Sequence, residues 1–369
     1  MIKEQRLVES FMDYVQIDSE TKNEKEFADF IAKKLENLGL EVYRDNAGEK
    51  LGSNSGNIIA KLKETRTGEP VLFSCHMDTV SPGKGIKPII KDNIIYSDGT
   101  TILGGDDKAG IAAIIEALTV IKENNLEHGP IELVFTIFEE GGLFGAKNLE
   151  YNKISSKRAF VLDSGGDVGQ IVIKGPAQDK IDVKIIGKPA HAGVCPEEGI
   201  SAIQVASEAI SNMKLLRIDE ETTANIGTIN GGKVTNIVCP EIIINAEARS
   251  LSSEKLDVQT AHMVQCFEKA AKSFGAKVEI KTTRAYGPFV IEEEDKIVDH
   301  AKMACKNIGV NSFTAATGGG SDTNILNGNG IKAINLGIGE RKAHTLEEHM
   351  KIEDLVNASK LVLEIIKLA

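Results

Sequence analysis

The 369-residue chain contains no apolar run of the roughly 18 residues that a membrane span needs, because Glu116 interrupts even the greasiest stretch, Gly110 to Ile121. Basic charge is in short supply. Forty-three Lys and Arg stand against 54 Asp and Glu, a formal net charge of −11, which argues against a nucleic-acid binder. Cysteine is sparse and unpatterned: Cys75, Cys195, Cys239, Cys266 and Cys305 are an odd number with no C-x-x-C pair for zinc or redox work, and they read as reduced thiols. Cys75 ends an apolar strand and is expected to be a small core hydrophobe. The opening residues, Met1-Ile2-Lys3-Glu4-Gln5-Arg6, lack the apolar core and small-residue cleavage site of a secretory signal, so a cytoplasmic protein is expected.

Hydrophobic residues make up 41% of the chain, enough to exclude a disordered protein, and the length suits two domains. Two helices open it, one with Leu7, Phe11 and Val15 on a stripe, the next with Phe27, Ile31, Leu35 and Leu38 closed by Gly39. Strands are expected at Val71 to Cys75, Ile131 to Phe138 and Ala159 to Leu162, with a helix from Lys108 to about Asn124 between the first two. This is an α/β rhythm with a mostly parallel sheet and helices on both faces, a three-layer domain. Around Gln178 the pattern changes to half-exposed strands at Ile181 to Ile186, Ile226 and Ile242 to Ala248, helices at about 201–213 and 253–273, and a strand at Lys277 to Lys281. The α/β rhythm returns after Tyr286-Gly287-Pro288, with a strand at Ile331 to Leu336 and a closing helix from Glu353. An α+β domain at 179–288 is thus expected to be inserted into an α/β catalytic domain made of 1–178 and 289–369.

Three α/β strands run into chemistry-bearing residues: Cys75 into His76, Phe138 into Glu139-Glu140, and Leu162 into Asp163. Open α/β sheets place their sites at the carboxyl ends of strands, so these termini should share one crevice. Asp106 and Asp107 precede a helix, and His344 follows a strand. Singly, each has an ordinary structural use. Asp106 or Asp107 can cap the helix, His76 can be a hydrogen-bonded strand-end histidine, Glu139-Glu140 an exposed acidic turn, and Asp163 the start of a tight turn. Their joint placement is harder to explain that way. Asp106, Glu140 and Asp163 together bring a charge that a partly dry crevice cannot hold without counter-ions. Two divalent cations and one hydroxide would neutralise it, and mixed His and carboxylate donors suit zinc, with cobalt or manganese as options. Gly141-Gly142 lets the strand break so that one Glu can ligate and the other accept a proton. Asp78 suits a carboxylate that orients His76, or a turn residue before Ser81-Pro82-Gly83.

The motifs His76-Met77-Asp78-Thr79-Val80, Gly105-Asp106-Asp107-Lys108-Ala109-Gly110, Glu139-Glu140-Gly141-Gly142, Leu162-Asp163-Ser164-Gly165-Gly166, Pro189-Ala190-His191-Ala192-Gly193 and the late His344 make the sequence resemble the M20 family of metallopeptidases and amidohydrolases, in its peptidase T-like branch. That resemblance implies a dizinc site with Asp106 bridging, His76 and Asp163 on one ion, and Glu140 and His344 on the other. It implies Glu139 as general base, Asp78 as the residue orienting His76, and His191 as a histidine that steadies the oxyanion. Asn236, Arg249 and a backbone N–H near Gly319 resemble groups that hold substrate. The inserted domain is expected to be a lid or dimerisation domain, giving a homodimer.

The implied activity is cleavage of the peptide bond of short peptides, as a di- or tripeptide exopeptidase. An N-acyl amino acid deacylase of the same architecture is the alternative, since metal chemistry is indifferent to what flanks the amide. A catalytically silent metal- or peptide-binding homologue has no need of Glu139. A metal-assisted phosphoesterase would want a basic cluster beside the ligands, and none is present. Gly318-Gly319-Gly320-Ser321-Asp322 is no phosphate loop, because no Lys-Ser/Thr follows it. His128, His262, His300 and His349 have no ligand neighbours in sequence.

Overall fold

The computed structural model describes all residues from Met1 to Ala369. The chain packs into two compact units, one formed by Met1–Ile173, Val290–Ala316 and Ser321–Ala369, the other by Lys174–Phe289 with Thr317–Gly320.

The first unit is built on a nine-stranded sheet, in which Glu41–Arg44, Ile58–Leu62, Ile131–Thr136, Val71–His76, Arg158–Ser164, Lys332–Gly337 and Gln170–Gly175 lie in that order. The four central strands, from Ile131–Thr136 to Lys332–Gly337, are mutually parallel. Their flanks at Ile58–Leu62 and Gln170–Gly175 pair antiparallel. Strands Val71–His76 and Ile131–Thr136 are buried along their whole length, which explains why they read as unbroken apolar runs rather than alternating ones. On one face Leu72, Val134, Ala159 and Val161 meet Leu326 of the helix Asp322–Gly328. On the other the Phe73 and Phe160 rings stand 5.9 Å apart, and Phe160 meets His300 of the helix Lys296–Asn307 edge-on at 5.4 Å. Helices therefore cover both faces, as the α/β reading requires.

The helix that follows Asp106 is assigned from Gly105 to Asn124, yet Asp106 and Asp107 have non-helical backbone angles, so regular helix starts at Lys108. A four-stranded antiparallel sheet, Glu340–Arg341, His349–Lys351, Ile94–Tyr96 and Ile89–Lys91 in that order, was not legible in the sequence. No strand in it exceeds three residues, too few to show a period of two.

The second unit is a five-stranded antiparallel sheet in the order Leu216–Arg217, Thr222–Gly231, Glu241–Ser250, Ala177–Ile186 and Lys277–Tyr286. Ile181, Val183, Ile185, Ile242, Ile244, Ala246 and Ala248 alternate inward, and pack with Val205 and Ala209 of the helix Ala202–Ser211 and Leu256, Met263 and Phe267 of the helix Ser253–Phe274. The intervening residues face away, which is the half-exposed pattern of a sheet with one covered face. This unit starts at Lys174 and includes the Thr317–Gly320 loop, whereas the sequence expectation drew a single insert at 179–288.

At the amino end of the central strands Glu132, only 2% exposed, accepts from Ser155 N at 3.1 Å, Ser156 N at 2.7 Å and Lys61 Nζ at 2.8 Å. Burial opposes its ionisation, but Lys61 and the two serine N–H groups outweigh that and hold its carboxyl down at about 2. A folded-state value below the unfolded one adds stability above the unfolded pKa, and that stability is lost as pH falls through the folded value. Replacing Glu132 with Gln should therefore lower stability at pH 7 by on the order of 2–3 kcal/mol and flatten the acid limb between about pH 4.5 and 2. Urea melts of parent and variant across that range check it; equal acid limbs would remove Glu132 from this role.

Candidate active site

Parallel register brings the first donors together. Ser74 pairs with Val161 and His76 with Thr136, so two residues further along His76 stands level with Asp163, and the Glu139-Glu140 turn follows just beyond Thr136. Asp163 is pinned by its neighbour strand: its N–H donates to Asn335 Oδ1 and its carbonyl accepts from Asn335 Nδ2, both at 3.0 Å.

Asp106 lies at the centre. One oxygen is 2.8 Å from His76 Nε2 and the other 3.2 Å from His344 Nε2, while His344 Nε2 is 2.8 Å from Glu140 Oε1. Asp163 Oδ1 is 3.8 Å from His76 Nε2. The donor atoms of His76, Asp106 and Glu140 lie within 4.8 Å of one another, as do those of His76, Asp107 and Asp163. Five residues singled out as ligands are thus gathered in one place. Asp107, whose use as a helix cap was left open, is fully buried beside them, accepts from His76 N at 3.3 Å, and has an unpartnered Oδ1.

Glycine is required at two points here. A Cβ on Gly110 would lie 2.5 Å from Asp107 Oδ1, 2.6 Å from Leu162 O and 2.7 Å from Cys75 Sγ, so the helix can approach both strands only without one. A Cβ on Gly141 would fall 1.7 Å from the Phe138 ring, which folds back over the Glu139-Glu140 turn.

Asp78 faces His76 more closely through its main chain than through its carboxylate. His76 Nδ1 faces the main-chain oxygen of Asp78 at 2.8 Å, and the Asp78 carboxylate is 3.6 Å away. That carboxylate also accepts from Glu139 N at 2.9 Å, Glu140 N at 3.2 Å and Thr21 Oγ1 at 2.7 Å. Glu24, which sequence reasoning missed, takes the next N–H upstream, Phe138 N, at 3.1 Å.

The electrostatics follow from crowding. Burial opposes ionisation of Asp106, but hydrogen bonds to His344 and His76 outweigh it and hold the carboxyl well below its usual range. The same contact to Asp106, joined by Glu140, raises His344 to about 10. Burial and the repulsion of neighbouring acids push the carboxyls of Glu139 and Asp163 upward, with Asp163 the main acid facing Glu139 and Asp106 the main one facing Asp163. Two further acids were missed in the sequence. Glu340, 3% exposed with Oε1 unpartnered, is pushed up to about 9 by burial and by Asp106. Asp322, which accepts from Thr136 Oγ1 at 2.5 Å, is raised to about 6 by burial. Nothing local in the sequence marks Glu340; Asp322 figures there only as the last residue of the glycine stretch rejected as a phosphate loop.

The second unit holds the remaining residues in two groups. His191 forms an isolated bridge with Ile237, and Ala192 N donates to Asn236 O at 2.9 Å, so the His191 and Asn236 segments run side by side. The Arg249 guanidinium pairs with Glu247 at 2.9 Å and reaches Gly318 O at 3.5 Å. The Gly319 N–H, expected to be open to substrate, donates to Thr317 Oγ1 at 3.1 Å. His128, His262, His300 and His349 bond to main-chain groups instead of carboxylates.

Histidines and acids converging at the carboxyl ends of parallel strands, in a three-layer α/β unit, define a metal-dependent hydrolase. A model of Peptidase family M20/M25/M40 matches residues 72–368. The chain belongs to that family and is a metal-dependent peptidase that hydrolyses peptide bonds. It is 48% identical over 367 residues to the uncharacterized protein YqjE of Bacillus subtilis, covering 100% of this chain and 99% of that one. The aminopeptidase PepT of Bacillus cereus superposes with a TM-score of 0.91 at 47% identity, covering 100% of this chain and 99% of that one. A tripeptidase of Staphylococcus aureus superposes with a TM-score of 0.96 at 45% identity, covering 100% and 98%.

Asp78→Asn tests what the structure shows of that residue. An amide cannot accept from both the Glu139 and Glu140 N–H groups and the Thr21 hydroxyl, so kcat should fall about 10- to 100-fold with little change in KM. Steady-state kinetics on a short peptide decide it, and an unchanged kcat would show that the turn keeps its pose without this carboxylate.

Proposed function

We propose that the protein is a dimetal exopeptidase of short peptides, with di- and tripeptides as its substrate class. One observation carries the reading: a single carboxylate, Asp106, reaches His76 with one oxygen and His344 with the other. The donor set fits two divalent ions, because hard carboxylate oxygens and imidazole nitrogens alternate around Asp106 and buried Asp107 keeps an orphan oxygen beside them. His76 and Asp163 would hold one ion, Glu140 and His344 the other, and Asp106 both. When bound, two zinc ions, or cobalt or manganese in their place, would offset the acids, act as Lewis acids on the scissile carbonyl and acidify a water.

The rest is the work of the chain's own side chains. Glu139 takes a proton from the attacking water and passes it to the leaving amine, a task that suits a carboxyl whose main chain is fixed by Asp78. His191 donates to the developing oxyanion, which is worth a few kcal/mol in comparable sites. Asn236, Arg249 and the Gly319 loop hold the substrate's carboxylate or carbonyl; for Gly319 N–H to take part, it must leave Thr317 Oγ1.

The peptidase reading over the deacylase one draws on the relatives named as peptidases at 45–47% identity across the full chain. A homodimer through the second unit fits the open edge of strand Thr222–Gly231 beyond its short pairing with Leu216–Arg217, where Ile229 is 52% exposed. Five unpaired cysteines fit a reducing compartment, the cytoplasm.

Metal-stripped protein assayed on di- and tripeptides and N-acetyl amino acids, before and after two equivalents of zinc, cobalt or manganese, tests the reading. Turnover of short peptides should return only with metal. Turnover confined to acetylated substrates would move the protein to the deacylases. Glu139→Gln should keep its fold and metal uptake while losing about 100- to 10,000-fold in kcat, and comparable activity would remove Glu139 from the base role.

A further inference from the structure

The Asp106 loop enters the site with four successive main-chain N–H groups turned the same way, and one side chain takes them all. Glu348 Oε2 accepts from Leu103 N at 2.8 Å and Gly104 N at 3.0 Å, while Oε1 accepts from Gly105 N at 2.6 Å and Asp106 N at 3.2 Å. The residue is 1% exposed. Glycine at 105 allows this approach, since a Cβ there would lie 3.1 Å from Glu348 Oε1. Glu348 also sits four residues after His344, on a loop closed by Glu348 N donating to Thr345 O at 3.1 Å. His344 is half-exposed, and its ring contacts are to Asp106 and Glu140.

We infer that Glu348 is a positioning residue for the ion shared by Asp106, Glu140 and His344: its carboxylate staples the loop that carries Asp106 to the loop that carries His344. The inference rests on the dimetal reading above. A carboxylate offers about four lone-pair sites, which matches the four donors. The amide of glutamine accepts at one oxygen only, and its NH2 would confront two N–H groups that have no other partner. The two loops would then lose their common register, and with it the distance between two ligands of one ion. The other ion shares Asp106, but its His76 and Asp163 donors are held separately, by strand pairing and Asn335, so it should be weakened less.

Titration of metal-stripped parent and Glu348→Gln with Co2+, followed by the visible absorption of the bound ion, tests this, with circular dichroism and thermal melts of the stripped proteins alongside. The parent should take up two equivalents. The variant should bind one equivalent with only a few-fold loss and the other about 10- to 100-fold more weakly, with kcat recovering as Co2+ is raised. A residue that serves only the fold would lower the melting temperature and leave both affinities alone, and that result overturns the inference while the dimetal reading stands. Glu348→Asp is the second variant, should the first not fold. It keeps the charge but is one methylene too short to reach all four donors from its present place, so a smaller weakening of the same equivalent supports the staple and parental affinity overturns it. No Co2+ uptake by the parent would overturn the dimetal reading and this inference with it.

Discussion

Carboxylates packed out of water are the constraint on which the rest of the structure depends. Asp78, Asp106, Asp107, Glu139, Asp163, Asp322, Glu340 and Glu348 are buried or nearly so in one region, and a set of like charges at such distances cannot all be ionised unless something answers them. The structure answers in two different ways. Asp78, Glu24 and Glu348 are turned toward main-chain N–H groups, whose partial charges cannot move or be exchanged. Asp106, Glu140 and Asp163 are turned toward imidazoles and toward one another, leaving a charge deficit that an exchangeable cation can fill.

The division has a mechanical consequence. Three loops that carry candidate ligands have a buried carboxylate or amide gripping their backbone: Glu348 for Asp106, Asp78 with Glu24 for the Glu139-Glu140 turn, and Asn335 for Asp163. The backbone of those loops is therefore held by the protein itself, which would let a dimetal site keep its geometry without spending binding energy on ordering loops. Parallel register supplies the coarse alignment and the buried acids the fine one. Gly110 and Gly141 belong to the same scheme, because each marks a place where backbone must come closer to a donor-bearing strand or turn than any Cβ permits.

Much of this was legible in the sequence. Uniform apolar runs ending in His76, Glu139-Glu140 and Asp163 revealed both the strands and the crevice, since a strand buried on both faces leaves chemistry nowhere to sit but its end. The helix after Asp106 could be read to within a residue of where its regular geometry starts. The buried partners were harder to see. Glu348 follows Glu347 and Glu24 precedes Lys25, so both lie in charged stretches that read as ordinary solvated surface. The partners that tie them to the site are main-chain groups more than a hundred residues away, Leu103 for Glu348 and Phe138 for Glu24. Main-chain donors carry no residue identity, so no motif records them. For Asp78 the motif identified the residue, while its contacts, to two N–H groups beyond a different strand, depend on three-dimensional pairing that the local sequence does not encode.

The arrangement also lets adjacent acids with similar burial differ in their contacts. Glu139 and Glu140 share a turn and a common anchor in Asp78, yet Glu140 reaches His344 and Glu139 does not. Their backbone is fixed by one carboxylate, so the difference between them lies in where each side chain leaves the turn: Glu140 goes toward the imidazole, while Glu139 feels Asp163 as its main acidic neighbour. A flexible turn would let the two exchange places and blur the proposed ligand with the proposed base. Asp78 prevents that exchange by holding both N–H groups at once, and the Phe138 ring, seated where a Gly141 side chain would otherwise be, closes the turn from its other side.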